Sequence, residues 1–420
     1  GYDVASYDLT LRYEPATDQL TGRALITATA TADLSRFNLD FAGLTVHSIS
    51  VNGKAATQSR DGQELTVTPA AGLPSGGQFT VDISYSGVPT PISRPGLGAE
   101  GFLHTDDGAI ALGEPEGAAS WFPVNDHPLD KATYAVAVTV PAGLTALSNG
   151  VPAEPTTVDG WTTWRWAEHA PMASYLATVV IGKYRVTTST HDGKPVVTAV
   201  EQSLPAGNAD QAVARTVEVA DFLATRFGPY PFDAYGAIVH NDPRIRYALE
   251  NQSRPVYSAR FFDREAASWV VAHELAHQWY GDSVSIHHWE DIWLNEGLAS
   301  YAEWLWSEHT GTATADQMFD RLYAPAGEAD WRIAPGAPGP GAGLFDRFAV
   351  YSRGAMAVHA LRKAVGDAVF FRILKTWAVE KRDGNATIAE FITLSERLAG
   401  KPLRPLFDAW LYRTSKPTHP

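Results

Sequence analysis

The sequence predicts a multi-domain protein in which an all-β domain is followed by an α+β domain that is mainly helical. Its 420 residues exceed the usual size of a single domain. Apolar and polar residues alternate with a period of two in the first part of the chain, whereas apolar residues recur at helical spacing in the rest. We therefore predict an all-β domain over residues 1–187 and a second domain over residues 188–420.

The alternation in the first domain is typical of half-buried antiparallel strands. Two runs show it most clearly: Tyr7, Leu9, Leu11 and Tyr13, and then Phe79, Val81, Ile83 and Tyr85. Dipeptides that favour tight turns recur between such runs: Asn52-Gly53, Asp61-Gly62, Asn149-Gly150 and Asp159-Gly160. Short turns join neighbouring antiparallel strands, so this part of the chain is predicted to be sheet.

Helical spacing marks the second domain. It begins with Val213, Val217, Ala220, Leu223 and Phe227. The breaker Gly228-Pro229 ends this helix, and residues 247–251 are predicted to form an edge strand. Residues 333–343 are rich in Pro and Gly without periodicity and are predicted to be a loop, after which helical patterns return over residues 355–412.

Composition narrows the possible partners. The net charge of −14 argues against binding to nucleic acid or to an anionic membrane, because both need clustered Lys and Arg. The chain has no cysteine and no apolar run long enough to span a membrane. It begins with Gly-Tyr-Asp, which is compatible with a removed signal peptide, so we expect a secreted protein, with a cytoplasmic location as the alternative. We also expect a monomer.

Two histidines and a glutamate at helical spacing indicate a metal site in the second domain. Residues four apart on an α-helix are separated by about 40° around its axis, so His273 and His277 can bind one zinc ion. Glu274 points away from this line, which suits a general base for a zinc-activated water molecule. Asp263 is the predicted N-cap of this helix.

A third ligand separates this motif from an accidental match. Glu296 follows His277 after eighteen intervening residues and opens the next helix-like run. An accidental match would most often be a surface helix without a further ligand nearby. Two histidines and one carboxylate leave the fourth tetrahedral position open, which is characteristic of catalytic zinc sites. This ligand set suits one zinc ion better than cobalt or manganese.

With these motifs, the sequence resembles the zinc aminopeptidase family that includes aminopeptidase N and leukotriene hydrolase, which are gluzincin metallopeptidases. The resemblance implies that the all-β domain is saddle-like and that the second domain is thermolysin-like. It further implies a short two-domain form, because the large helical C-terminal domain of longer relatives has no counterpart here. Such a form is expected to have a more open active-site cleft.

The resemblance also implies residues that bind the substrate. Residues Tyr247-Ala248-Leu249-Glu250-Asn251 correspond to the Gly-Ala-Met-Glu-Asn segment of the family, in which the glutamate binds the free α-amino group. Glu250 would have this role, with Ala248 and Leu249 beside it, unless it is only an acid on an edge strand. Tyr247 and Leu249 differ from the family residues, so the side-chain preference is open. Arg244 or Arg246 would favour an acidic or polar first residue if it faces the substrate and would have no effect if it faces solvent.

The resemblance also gives roles to residues outside this segment. Glu114 would be a second carboxylate for the amino group, with Glu116 as a weaker candidate. Tyr351, in Tyr351-Ser352-Arg353-Gly354-Ala355, matches the family's Tyr-x-Lys-Gly-Ala run and would donate a hydrogen bond to the developing oxyanion. Its alternative role is core packing. Helical spacing, rather than the resemblance, points to Glu303, which lies about two turns after Glu296. It would accept a hydrogen bond from a ligand histidine, or else it is a surface acid.

The predicted function is a zinc-dependent aminopeptidase that hydrolyses the N-terminal peptide bond of peptides with a free N-terminus. Its selectivity for chain ends would depend on Glu250 and Glu114. One alternative is a zinc endopeptidase or another hydrolase, such as an epoxide-opening enzyme, acting in the open cleft. A non-enzymatic scaffold with the same fold is the third possibility, against which the complete set of ligands, base and tyrosine argues.

Overall fold

In the computed structural model, which describes residues 1–94 and 97–420, the chain forms two units, each with its own core. The first unit comprises Gly1–Arg94, Gly98–Pro205 and Phe232–Ala259, and the second contains Ala206–Pro231 and Arg260–Pro420. Among the described residues, no helix is both long and apolar enough to cross a membrane. The division between residues 187 and 188 stays a prediction.

The described part of the first unit is built from strands. In chain order they are β1 (Tyr2–Glu14), β2 (Gln19–Ala30), β3 (Phe37–Asp40), β4 (Thr45–Val51), β5 (Lys54–Ala55), β6 (Thr57–Asp61), β7 (Glu64–Thr68), β8 (Gln78–Gly87), β9 (Ile92–Arg94), β10 (Gly98–His104), β11 (Ala109–Leu112), β12 (Lys131–Pro141), β13 (Thr145–Ser148), β14 (Val151–Val158), β15 (Trp161–Ala173), β16 (Val179–Gly182), β17 (Tyr184–His191), β18 (Lys194–Glu201), β19 (Tyr235–His240), β20 (Ala248–Leu249) and β21 (Val256–Ser258).

The largest sheet has eight strands in the order β14-β15-β12-β1-β2-β8-β4-β5. All neighbours are antiparallel except β1 and β12, which pair in parallel with Leu9 opposite Val136. Burial alternates along β1 and β8, which confirms the predicted half-buried strands. Two smaller sheets have the orders β3-β7-β6 and β13-β16-β11-β10-β9.

A mixed sheet with the order β17-β18-β19-β21-β20 completes the first unit. Strand β19 is central and fully buried, while β20 lies at the edge, as predicted for this segment. Ile238 and Val256 of this sheet share a core cluster with Leu112 and Val180 of the sheet before it. The edge strand that leads into Glu250 is therefore attached to the all-β core.

The second unit is mainly helical. Its helices are α1 (Asn208–Val213), α2 (Thr216–Phe227), α3 (Ser268–His277), α4 (Trp293–Thr310), α5 (Ala315–Tyr323), α6 (Arg353–Val365), α7 (Asp367–Glu380), α8 (Ile388–Ala399) and α9 (Arg404–Phe407). Two short parallel strands, β22 (Val284–Ile286) and β23 (Gly384–Ala386), pair with each other. An all-β domain and a mainly helical one are thus both present, so the predicted fold class is confirmed.

The start of α3 differs from the prediction. Asp263 lies in an exposed turn, and the helix begins at Ser268 with Ala267 at the N-cap position. Residues Val270 to His277 are all buried, whereas Asp263 to Glu265 are exposed. Burial of the apolar run determines where this helix begins, because most helical stability in proteins comes from tertiary packing.

We predict that Gly22→Ala destabilises the first unit. A Cβ atom at Gly22 would lie 2.2 Å from the ring of Tyr85. That ring is fully buried and its hydroxyl donates to the Trp121 carbonyl at 2.9 Å, so it has no room to move. Overpacking of this kind lowers the free energy of unfolding by about 1–3 kcal/mol, which urea titration measures. Thr21→Ala, on the exposed face of the same strand, should change it by less than about 0.5 kcal/mol.

Candidate metal centre

Helices α3 and α4 bring the three predicted zinc ligands together. Nε2 of His273 lies 3.2 Å from Oε2 of Glu296, and Nε2 of His277 lies 3.5 Å from the same oxygen. One ligand atom from each of the three residues lies within 4.8 Å of the others, and all three residues are buried. Ligands bonded to a tetrahedral zinc ion at about 2.0–2.1 Å stand about 3.3 Å apart, so this spacing fits zinc.

The outer nitrogens of both histidines also have the partners that zinc ligation requires. His273 Nδ1 lies 2.7 Å from Oε1 of Glu303, and His277 Nδ1 lies 3.1 Å from the carbonyl of Tyr280. A carbonyl can only accept, so Nδ1 of His277 carries the proton and its Nε2 is left to bind the metal. Glu303 gives His273 the same tautomer, which is the contact the sequence predicted for it.

The electrostatic field of the site favours a cation. Burial by itself lowers the pKa of His273, but the carboxylates of Glu296 and Glu303 outweigh it and hold this pKa well above its ordinary value. Burial raises the pKa of Glu296, and the neighbouring His277 and His273 reverse this and lower it. Positive charge among these side chains is therefore stabilised, and a divalent cation bound by the same atoms would be stabilised for the same reason.

The predicted base and tyrosine flank these ligands. Glu274 is buried, and one of its carboxylate oxygens lies within 4.8 Å of a ring nitrogen of His277. The ring of Tyr351 lies nearly parallel to that of His273, with centroids 6.0 Å apart. Tyr351 belongs to a π-helical segment, Arg347–Ser352, immediately before α6. Such segments are rare and are frequent at functional sites.

Two glycines, for which the sequence patterns predict no role, bring α4 and α6 together. Gly297 follows Glu296 directly, and Gly354 comes three residues after Tyr351. A Cβ atom at Gly354 would lie 3.0 Å from the Cα of Gly297 and 2.9 Å from the ring of Trp293. The indole of Trp293 also donates to the Gly354 carbonyl at 3.2 Å. This contact sets the distance between the Glu296 and Tyr351 segments.

Arg353, the first residue of α6, holds the segment that contains Tyr351 through hydrogen bonds to the backbone of other segments. This guanidinium is fully buried and donates to the backbone carbonyls of Trp410, Trp331 and Ile333 at 2.8, 3.1 and 3.0 Å. It also lies over the ring of Trp331. Burial lowers the pKa of Arg353 to about 10. An arginine can reach several carbonyls at once with its five donors, and it stands where the related motif has lysine.

The predicted amine-binding residues lie in the first unit. Glu250 is buried and accepts a hydrogen bond from the hydroxyl of Tyr175 at 3.3 Å. Gly113, directly before Glu114, packs against the backbone of Tyr175. Burial, followed by the charge of Glu114, raises the pKa of Tyr247. Glu250 thus contacts Tyr175 directly, and Glu114 follows a glycine that packs against the same residue.

The other predicted substrate-binding residues have distinct environments. Leu249 is fully buried in the core cluster of the first unit, while Ala248 is half-buried. Glu116 forms an ion pair with Arg94. Arg244 is exposed and forms an ion pair with Asp242, which supports the solvent-facing alternative for this arginine.

Arg246 is exposed and contacts the backbone a few residues before it. Its Nε donates to the Pro243 carbonyl at 3.3 Å, in an exposed hydrogen bond. This contact likewise supports the solvent-facing alternative.

Comparison with known proteins agrees with this site. The Peptidase family M1 domain matches residues 212–410, and the Peptidase M1 N-terminal domain matches residues 4–176. The M1 zinc metallopeptidase of Deinococcus radiodurans has a solved structure with a TM-score of 0.90 and 30% identity, covering 100% of this chain and 96% of that one. The chain belongs to peptidase family M1, a family of zinc metallopeptidases, and zinc is the metal implied for it.

Curated relatives are more distant and longer. Glutamyl aminopeptidase of Sus scrofa is 28% identical over 332 residues, which cover 72% of this chain and 34% of that protein. Aminopeptidase M1-B of Oryza sativa is 26% identical over 447 residues, which cover 98% of this chain and 50% of that protein. The chain thus spans about a third to a half of the length of these relatives.

We predict that Glu303→Ala weakens zinc binding about 10- to 100-fold, the usual cost of losing an outer-shell partner of a ligand histidine. The dissociation constant can be measured by competition with a chromogenic chelator. Glu308→Ala is the matched control, because Glu308 lies on the same helix but pairs with Arg362. Equal zinc affinity in the two variants would contradict the role of Glu303.

We also predict that Gly354→Ala lowers kcat for hydrolysis of a peptide substrate on the order of 100-fold while zinc stays bound. The added methyl group meets Trp293 and Gly297, so the Tyr351 segment must shift, and a displacement of about 1 Å has this cost. Steady-state kinetics and metal analysis measure the two quantities. Gly327→Ala, at an exposed position where the nearest atom is 3.9 Å away, should leave both unchanged. Wild-type kcat in Gly354→Ala would refute the argument.

Proposed function

We propose that the protein is a zinc-dependent aminopeptidase that hydrolyses the first peptide bond of peptides with a free N-terminus. The observation that carries the proposal is the buried His273, His277 and Glu296 cluster with Glu274 and Tyr351 beside it. Three protein ligands leave one tetrahedral position open, as in catalytic zinc sites. Membership of peptidase family M1 supports hydrolysis of a peptide bond.

Each residue of the cluster has a role that follows from its chemistry. Zinc held by the three ligands supplies Lewis acidity, which polarises a substrate carbonyl and makes water a stronger nucleophile at neutral pH. Glu274 accepts the proton of the attacking water and then delivers it to the leaving amine. The hydroxyl of Tyr351 donates a hydrogen bond to the oxygen on which negative charge develops.

The amino group of the substrate is assigned to Glu250 and Glu114. A carboxylate that is 2% exposed, such as Glu250, gains a charge-assisted hydrogen bond when an ammonium group approaches it. A point mutant of a similar protein, the M1 zinc metallopeptidase of Deinococcus radiodurans, has been solved with the substrate Tyr-Ser-Ala. A point mutant of a two-domain M1 zinc metallopeptidase has been solved with L-tryptophan and with L-arginine. A tripeptide and single amino acids are the ligands expected of an aminopeptidase.

The test compares fluorogenic aminoacyl amides with their N-acetylated counterparts, with zinc present and again after chelation. We expect cleavage of the free-amine substrates only, and its loss on chelation. Glu250→Gln should lower kcat/KM for free amines on the order of 100-fold with zinc still bound, because a buried charge then lacks its partner. Glu154→Gln, at an exposed position of the same unit, should have no effect.

Other outcomes would reject parts of the proposal. Cleavage of acetylated substrates as fast as free ones would exclude selection by the amine and favour an endopeptidase. A purified protein that binds no zinc would favour a non-enzymatic scaffold. The panel includes glutamyl and arginyl amides, which report the preference for the first side chain.

A further inference from the structure

The Asn149-Gly150 turn of the first unit contacts the loop that carries Glu250. This turn joins β13 to β14, and the loop comprises residues 250–254, between β20 and β21. The side-chain nitrogen Nδ2 of Asn149 donates to the Gln252 carbonyl at 2.9 Å. The backbone N–H of Gly150 donates to the hydroxyl of Ser253 at 2.7 Å. Arg254 donates back to the Gly150 carbonyl at 3.2 Å. Hydrogen bonds therefore run in both directions between turn and loop.

Asn149 uses its whole amide in these contacts. The side chain is 3% exposed, and its nitrogen also donates to the Leu176 carbonyl at 3.0 Å. Its oxygen accepts from the backbone N–H of Thr178 at 2.9 Å. The backbone partners determine the orientation of the amide, since two are carbonyls and one is an N–H group. No other side chain of this size offers two donors and one acceptor in this arrangement.

The turn fits its surroundings closely. Gly150 has φ of 81°, in the left-handed region that favours glycine. A Cβ atom there would lie 2.0 Å from the carbonyl oxygen of Ala167. The turn is therefore held against β15, so that Asn149 has a defined position from which to hold the loop.

These contacts reach Glu250 from two sides. Gln252 is two residues after Glu250 in the loop. Leu176, which also accepts from the side chain of Asn251 at 2.9 Å, is next to Tyr175, whose hydroxyl donates to Glu250. Asn149 thus holds both the backbone that carries Glu250 and the segment that contacts its carboxylate.

We propose that Asn149 is a positioning residue that fixes Glu250 for recognition of the substrate's amino group. The inference rests on the proposed function, in which Glu250 binds that group. Residues 250–254 lie outside the strands of their sheet, and Ser253 has φ of 64°, so strand pairing does not hold this loop. A recognition group in a loop needs such support, because small displacements reduce catalysis strongly.

The test is a double-mutant cycle between Asn149→Asp and Glu250→Gln. Aspartate has the shape of asparagine but loses both donors and places a carboxylate beside two carbonyls. We expect Asn149→Asp to lower kcat/KM for free-amine substrates about 10- to 100-fold, mainly through KM, with zinc affinity unchanged. In the Glu250→Gln background the same change should have little further effect, because Asn149 then has no carboxylate to position.

The matched control is Asn52→Asp. Asn52 begins another Asn-Gly turn of the same unit and is exposed, so this change should leave kcat/KM unaltered. If Asn149→Asp prevents folding, Asn149→Ala removes the same donors without adding charge and should give the same kinetic pattern. Urea unfolding verifies that each variant is folded.

The outcomes separate this inference from the proposed function. Full activity in Glu250→Gln would reject the amine-binding role of Glu250, and the inference with it. Loss of activity in Glu250→Gln but not in the Asn149 variants would reject the inference alone. Multiplied losses in the double variant, or loss of zinc on changing Asn149, would show that Asn149 acts independently of Glu250 and would also overturn it.

Discussion

The second unit depends on one electrostatic constraint, a carboxylate buried between two helices. An ionised Glu296 with 2% exposure is stable only if charged or hydrogen-bonding partners surround it. His273 and His277 of α3 are these partners, and they are held in turn by Glu303 and the Tyr280 carbonyl. The arrangement also suits a zinc ion, because a cation between these groups satisfies all of them. Requirements for stability and for metal binding therefore coincide at this site.

The first unit also contains a buried carboxylate, Glu250. The loop that carries Glu250 has no regular strand pairing, and the side chain of Asn149 donates to its backbone at Gln252. Asn149, Arg254 and Tyr175 are all buried and all donate to this network. The carboxylate of Glu250 accepts from the hydroxyl of Tyr175, whereas that of Glu296 lies beside two imidazole rings.

Much of the fold and part of the site could be predicted from local sequence patterns. Alternation along β1, and residues four apart on α3, each involve neighbours in the chain whose geometry is set by one element. The start of α3 could not be predicted in the same way. Asp263 is a favourable N-cap residue, but the helix begins at Ser268, close to the continuous buried run that starts at Val270, whereas Asp263 to Glu265 are exposed. Capping preference is weak beside the packing of an apolar face.

The sequence alone determined the family resemblance, the order of the two domains and the spacing of His273, His277 and Glu296, because these depend on local periodicity and short motifs. Only the tertiary structure decided which residues support them. The contact of Gly354 with α4, the carbonyl partners of Arg353 and the contacts of Asn149 join residues that are far apart in the chain. Such contacts exist only when whole elements pack together, and no local pattern specifies the distance between them.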